Sequence, residues 1–360
     1  MVGDAGALHT KRWLQAFLER GHKVTVLSTN DPGDIPVPVY SIEPKIPIPN
    51  LRTWQRISYT KRIIKTLKPD LVIGQYLSQF GWSAAYADNV LKVLICWGSD
   101  ISHLVKRHWY DEWMNKKTLP KFDLCIALSK FLEESFLKYN VQPDKILRAH
   151  YPVDLPKKSI ESENFNDVFS QYNLRKGEYF VSIRAIKSVY NQKLILKSIP
   201  IVIKRFPGIK IVFLKYNIDK QYLQEMENMV GELGLLNSVV FMDGQPLDKF
   251  ILLCRNSIGA VSMALSDGMP VSVIETMAIG VPVILGDIPP IREIVTNKVN
   301  GFLVDVDSPE GLADALVEVV STSGLKEKFE DYNYKLIGEY IKPENGIVKI
   351  ENKIYELLRS

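Results

Sequence analysis

Ser266-Asp267-Gly268-Met269-Pro270-Val271-Ser272-Val273-Ile274-Glu275-Thr276-Met277-Ala278-Ile279-Gly280 follows directly on the β-branched run Ile258 to Met263 and leads into another, Val281 to Leu285. Strand, short loop, helix and strand are therefore written in one continuous stretch. Two strands joined through a helix lie parallel, and a parallel sheet needs helices on its faces. Pro270 suits the first helical turn, where its missing N–H would be unpaired in any case. A helix starting there leaves the N–H groups near Met269 to Ser272 without intrahelical partners. Asp267 stands just ahead of that start. Glu275 lies more than a turn inside, among Ile274, Met277 and Ala278, where a carboxylate needs a strong hydrogen-bonding partner.

The same alternation extends in both directions. Tyr179 to Ile183, Lys210 to Leu214, Val239 to Met242 and Phe302 to Val306 read as further strands of this series. An earlier series comprises Val24 to Thr29, Asp70 to Gln75, Val93 to Trp97 and Leu124 to Ser129. Between them Tyr151 to Glu163 is polar, carries two prolines and loses periodicity, so the linker is placed there. The expectation is an α/β protein of two doubly wound domains, 1–155 and 156–342, with a last helix over about 343–360 returning to the first.

Composition excludes several classes. With 46% hydrophobic and 24% charged residues in 360, the chain is neither disordered nor low in core. A net charge of +4 gives no reason to expect a nucleic-acid partner. Cys96, Cys125 and Cys254 lie singly in apolar runs, which suggests buried thiols rather than disulfides or a zinc site. Neither a signal pattern nor a membrane-spanning run is found, so a cytoplasmic location is expected.

In open α/β sheets ligands gather where strands end and helices begin. Four clusters fall at such places, two in each expected domain, which points to an interdomain cleft. Besides Ser266 to Gly280 there is Ser182-Ile183-Arg184-Ala185-Ile186-Lys187, where a guanidinium at a strand end suits a phosphate bidentately. It also reads as a surface arginine in a loop. Gly3-Asp4-Ala5-Gly6-Ala7-Leu8-His9-Thr10 opens a helix with small residues that let a ligand approach the backbone, or simply makes a tight turn. Its spacing is not that of a dinucleotide fingerprint, and only Met1 and Val2 precede it as a first strand. Trp97-Gly98-Ser99-Asp100 closes another strand. Asp100 suits a group that orients or deprotonates an acceptor hydroxyl, and equally an N-cap for a helix near Ile101. Taken structurally, Asp267 is likewise a helix N-cap and Glu275 a helix-surface residue.

The stretch Ser266 to Gly280, continued by Val281-Pro282-Val283-Ile284, Ile291-Arg292-Glu293-Ile294-Val295 and Asn300-Gly301-Phe302-Leu303-Val304, resembles the signature of family-4 retaining glycosyltransferases (glycosyl transferases group 1) of GT-B architecture. The resemblance implies a nucleotide-sugar donor and a sugar transfer with retention that needs neither cofactor nor metal. By it, Asp267 contacts the transferred sugar and Glu275 the donor ribose. Backbone from Gly268, Met269, Pro270 and Val271 meets the sugar and phosphates, Arg184 binds phosphate, and the loop at Gly6 faces the diphosphate. His9, Ser99 and Asp100 fall on the acceptor side, the acceptor being a glycan or a lipid-linked molecule. Two departures stand out. Asp occupies position 267 where Glu is usual, and Val189-Tyr190-Asn191 replaces the expected lysine, leaving Lys187, Lys193 or Tyr190 to substitute. A sugar-nucleotide 2-epimerase and a silent nucleotide-binding subunit are the rival readings.

Residues 51–68 form an amphipathic segment with Ile57, Ile63, Ile64 and Leu67 on one arc and Lys61, Arg62, Lys65 and Lys68 opposite. This reads as a solvated helix. With Trp54 near the basic face, it also reads as a peripheral contact with the inner face of a membrane.

Overall fold

The computed structural model describes residues 1–30, 33–102, 108–153 and 165–359. Most of the expected linker, Tyr151 to Glu163, lies outside these residues. The chain divides into two compact units: Met1–Val153 with Asp267–Met269 and Ile341–Ser360, and Asp154–Ser266 with Pro270–Tyr340.

In the first unit β1 (Val26–Ser28), β2 (Val39–Ser41), β3 (Leu71–Gln75), β4 (Leu91–Ile95), β5 (Leu124–Ala127) and β6 (Ile146–Arg148) are accompanied by α1 (Leu8–Glu19), α2 (Pro49–Leu67), α3 (Trp82–Ala85), α4 (Trp109–Thr118) and α5 (Lys130–Lys138). β1 pairs with β2, and β3 to β6 pair in sequence, all parallel. The first residues join the two groups. Val2 bridges Leu27 on one side and Gly74 on the other. Its N–H donates to Ile73 O (2.7 Å), and its carbonyl accepts from Gln75 N (2.9 Å). The short first strand expected at Met1 and Val2 thus fills the middle of the sheet. The sequence reading misses β2 and β6, which lie at the sheet edges with no fully buried residue and so no burial pattern to read.

The second unit holds β7 (Tyr179–Ser182), β8 (Lys210–Lys215), β9 (Val239–Asp243), β10 (Gly259–Ser262), β11 (Val283–Gly286) and β12 (Phe302–Val304). They form one parallel sheet in the order β12-β11-β10-β7-β8-β9. The helices are α6 (Phe165–Phe169), α7 (Gln192–Arg205), α8 (Lys220–Glu232), α9 (Leu247–Arg255), α10 (Val271–Ala278), α11 (Pro309–Ser321) and α12 (Leu325–Tyr340). Phe180, Ile195, Phe213, Met226, Val261 and Phe329 belong to the core they enclose. Burying six side chains of this size supplies about 10 kcal/mol or more against chain entropy. Strand order reverses between β10 and β7, so the loops after these two strands diverge from a common crevice.

The last helix, α13 (Ile347–Arg359), groups with the first unit, where Glu351 pairs with Arg20 and, at 2.6 Å, with His22 Nε2. Asp267–Met269 also groups there, although the expected boundaries put it in the second domain.

Candidate active site

Helix starts in the second unit are treated in two ways. Asp219 Oδ1 accepts from the N–H groups of Gln221 and Tyr222 (3.0 and 3.1 Å), and Ser308 Oγ accepts from Gly311 N (2.9 Å). These caps close α8 and α11 in the usual manner. α10 has Pro270 at its N-cap, which offers no side-chain cap, and Asp267 Oδ1 accepts from the adjacent Gly268 N (2.7 Å). What stands at the start of α10 is a cation. Arg184, carried by the end of β7 beside the reversal of strand order, donates from Nη1 to Ser272 Oγ (3.2 Å). Its guanidinium lies 4.3 Å from the centre of the Tyr190 ring.

Glu275 is on the next turn of α10 and only 6% exposed. The electrostatic neighbourhood ties it to the same cluster through Tyr216, which follows β8 and donates from Oη to Ile183 O (3.3 Å). Desolvation pushes the Tyr216 hydroxyl up to about 12; Arg184 works against this, while Tyr190 and Glu275 add to it. The Tyr216 ring itself is partly open to solvent, so it is the hydroxyl end that feels the cluster. The structure therefore gathers Arg184, Tyr190, Ser272, Glu275 and Tyr216. Lys193 is engaged elsewhere: its Nζ pairs with Glu225 at 2.5 Å and lies over the Tyr222 ring. Half-buried Lys187 accepts through its carbonyl from Tyr190 N (2.9 Å), which places its backbone at the cluster's edge.

In the first unit the sheet order reverses between Met1–Gly3 and β3, and the loops after these segments are close neighbours. A side chain at Gly3 would meet Gln75 Cβ at 3.1 Å and Thr10 Oγ1 at 3.3 Å, so the tight approach there favours glycine. Gly6 N itself donates to Asp4 Oδ1 (2.9 Å). His9 packs between Trp97 and Tyr151, with ring centres 4.8 and 5.1 Å away, and the Tyr151 hydroxyl donates to His9 O (3.2 Å). Ser99 Oγ lies 3.4 Å from Tyr76 Oη.

Asp100 corrects the sequence reading. It is 1% exposed, Oδ1 accepts from Trp97 N (3.0 Å) and Gly98 N (2.8 Å), and Oδ2 accepts from Leu77 N (2.8 Å). The carboxylate braces two loops and is no acceptor-facing base. Burial raises its pKa above 3.8, with the backbone donors working in the opposite direction. No helix begins at Ile101 in the described residues either: Ile101 N and Ser102 N close a turn onto Gly98 O.

Among the described residues no group of His, Cys, Asp and Glu is arranged to hold a metal ion, and no helix is long and apolar enough to cross a membrane. All three cysteines are buried, and none forms a disulfide among the described residues.

Known proteins place this architecture. A family profile described as "Glycosyl transferases group 1" matches residues 164–336, and one described as "Glycosyltransferase Family 4" matches residues 6–157. The solved structure of sucrose-phosphate synthase from Thermosynechococcus elongatus superposes with a TM-score of 0.80 at 16% identity, covering 100% of this chain and 98% of that one. The Anabaena protein HepE, crystallised with UDP and glucose, gives 0.78 at 15%, covering 98% and 96%. The chain is a glycosyltransferase of the GT-B fold.

Among curated relatives of this glycosyltransferase is the O-antigen chain mannosyltransferase RfbU of Salmonella typhimurium, 22% identical over 64% of this chain and 63% of its own length. Tyr216 and Ser272 are the cluster members that sequence reasoning leaves out. Ser272 sits inside the quoted stretch. For Tyr216 the available signal is position alone, the first residue past β8.

Proposed function

We propose that this glycosyltransferase moves a sugar from a nucleotide-sugar donor to an acceptor hydroxyl with retention of configuration. The observation that carries the reading is the uncapped start of α10, facing Arg184 beside the reversal of strand order, with Glu275 one turn further on. Arg184 and the free N–H groups of the first turn supply positive charge for a diphosphate, which removes the need for a metal. The Tyr190 ring holds the guanidinium plane. Glu275 accepts hydrogen bonds from the donor ribose, and Asp267 contacts the transferred sugar. As the bond from the anomeric carbon to the leaving phosphate breaks, the acceptor oxygen bonds to that carbon on the same face and its proton passes to the phosphate. No protein nucleophile is needed. Asp100 contributes by fixing the turn that carries Ser99 and, with Tyr151 and Trp97, the surroundings of His9.

The acceptor is a glycan or a lipid-linked molecule, with the protein in the cytoplasm and α2 as a peripheral membrane contact. Of the four basic residues expected on its outer arc, Lys61 pairs with Asp88 at 2.8 Å, while Arg62, Lys65 and Lys68, the last just past the helix end, are exposed. A second reading rests on Lys193: since Glu225 occupies it, a silent subunit would bind nucleotide without turnover.

Calorimetric titration with nucleotides and nucleotide-sugars, repeated on Glu275→Ala and Arg184→Ala, tests the donor site. One donor should bind selectively, and both substitutions should abolish that binding. Equal binding by the two variants removes the assignment. Binding with no transfer to any acceptor and no slow donor hydrolysis selects the silent subunit.

A further inference from the structure

A cavity of about 290 Å³ in the first unit is walled by the start of α2, the loop leaving β3 and the start of α4, with Arg52, Thr53, Arg56, Gln79, Tyr110 and Asp111 on its lining. Arg56 is 5% exposed, its Nε has no hydrogen-bond partner, and among the described residues no ion pair reaches its guanidinium. Burial lowers its pKa; the charge of Glu43 opposes this and that of Arg52 adds to it. Glu43 is already committed to Arg52 at 2.5 Å. A guanidinium does not shed its proton to escape such a site, so a buried unpaired arginine is a standing cost until an anion arrives. Among the described residues the lining carries two arginines against one acid, Asp111.

The wall is also held in a strained form. Gln79 has φ 65° and ψ −66°, and Tyr76 has φ 68°. Such backbone costs about 1–3 kcal/mol per residue and persists only where the surroundings impose it. Here Asp100 Oδ2 holds Leu77 N at 2.8 Å, and Ser83 Oγ donates to Gln79 O at 2.8 Å. The carboxylate that shapes the Trp97–Asp100 turn thus also shapes the cavity. Leu51, Trp54 and Trp109, next in sequence to lining residues, are exposed, Trp109 at 67%.

We propose that this cavity seats an oxyanion of the acceptor, a phosphate or carboxylate group, with Arg56 as its forked partner and the Thr53 and Tyr110 hydroxyls beside it. Only the word acceptor rests on the transferase reading; the binding of the anion stands apart from it.

The test is thermal denaturation of the whole chain in chloride buffer of fixed ionic strength, with inorganic phosphate or acetate titrated in, for the native protein, Arg56→Met and Arg56→Lys. Phosphate stabilises most proteins by exclusion, so the readout is the difference between native and variant. The expected results are a saturable rise in Tm for the native protein beyond that of Arg56→Met, and at least tenfold weaker binding in the variant. Arg56→Lys, which keeps the charge and loses the fork, should fall between. Without anion, Arg56→Met should be the more stable protein, because an unpaired buried charge is gone. Superimposable titrations, or an Arg56→Met that is less stable at every anion concentration, would overturn the proposal. Flotation with vesicles of neutral lipid, with and without phosphatidic acid, separates the sources. Recruitment that needs both phosphatidic acid and Arg56 makes the oxyanion lipid-borne, whereas a phosphate effect without recruitment makes it soluble. Nucleotide-sugar titration alongside shows whether donor site and anion site stand or fall separately.

Discussion

Asp100 and Glu275 are both nearly buried carboxylates at the carboxyl end of a parallel sheet, yet their surroundings differ in kind. Asp100 is saturated by three backbone N–H groups from two loops. Glu275 lies in a helix whose start is uncapped, near an arginine and a tyrosine hydroxyl that it perturbs. One acid completes a structure; the other is proposed to complete a ligand. Burial alone does not distinguish the two. The origin of the neighbouring donors does.

The comparison can be broken by exchanging the phenotypes. Asp100→Ala leaves three amides without their acceptor and should cost about 3 kcal/mol or more of stability in urea unfolding. Its surviving folded fraction should still bind donor. Glu275→Ala should show the reverse: a near-native unfolding midpoint and donor affinity weakened about a hundredfold, measured by calorimetry. If both variants lose stability and keep binding, the distinction fails.

The pH dependence sharpens it. The Asp100 pKa is higher in the folded protein than its ordinary 3.8. From 3.8 up to the folded value the folded protein therefore holds the proton more tightly than the unfolded chain. Its contribution is greatest below 3.8 and is lost as pH rises through the folded pKa. Stability of the native protein minus that of Asp100→Asn, followed upward from pH 3.5 or so, should decline in that window. A difference that grows with pH would show that the amides outweigh burial.

Smaller effects test the edges of the donor cluster. Tyr190→Ala removes the ring beneath Arg184 and should weaken donor binding roughly fivefold, about 1 kcal/mol, while Tyr190→Phe keeps the face and should change little. Lys193→Ala should alter donor affinity less than about twofold, since a partly exposed pair with Glu225 already occupies that side chain. A large loss there would restore Lys193 as the replacement for the missing lysine.

Much of this was legible beforehand because buried parallel strands announce themselves. β7, β8 and β10 are continuous apolar or β-branched runs, and the loops after them carry the polar residues that such a sheet has no structural use for. Arg184 and Glu275 could be read for that reason. Asp100 could not, because an N-cap, a base and a brace all look alike as Trp-Gly-Ser-Asp. The deciding N–H of Leu77 is distant in sequence, beyond a backbone conformation at Tyr76 that nothing in its residue type announces. Arg56 was hidden similarly. On the helical wheel it is one more cation of a basic helix, and only the fold shows it buried beside the cavity.

The pairing of Glu351 with Arg20 and His22 has a consequence for the order of events during synthesis. The first unit is discontinuous, so its earliest helix awaits a partner encoded about 330 positions later. By the time Glu351 leaves the ribosome, every strand of the second unit has already emerged. The inserted unit can therefore be complete while the unit that began first is still short of its last helix, and interrupted translation would leave a finished second unit joined to a first unit lacking α13.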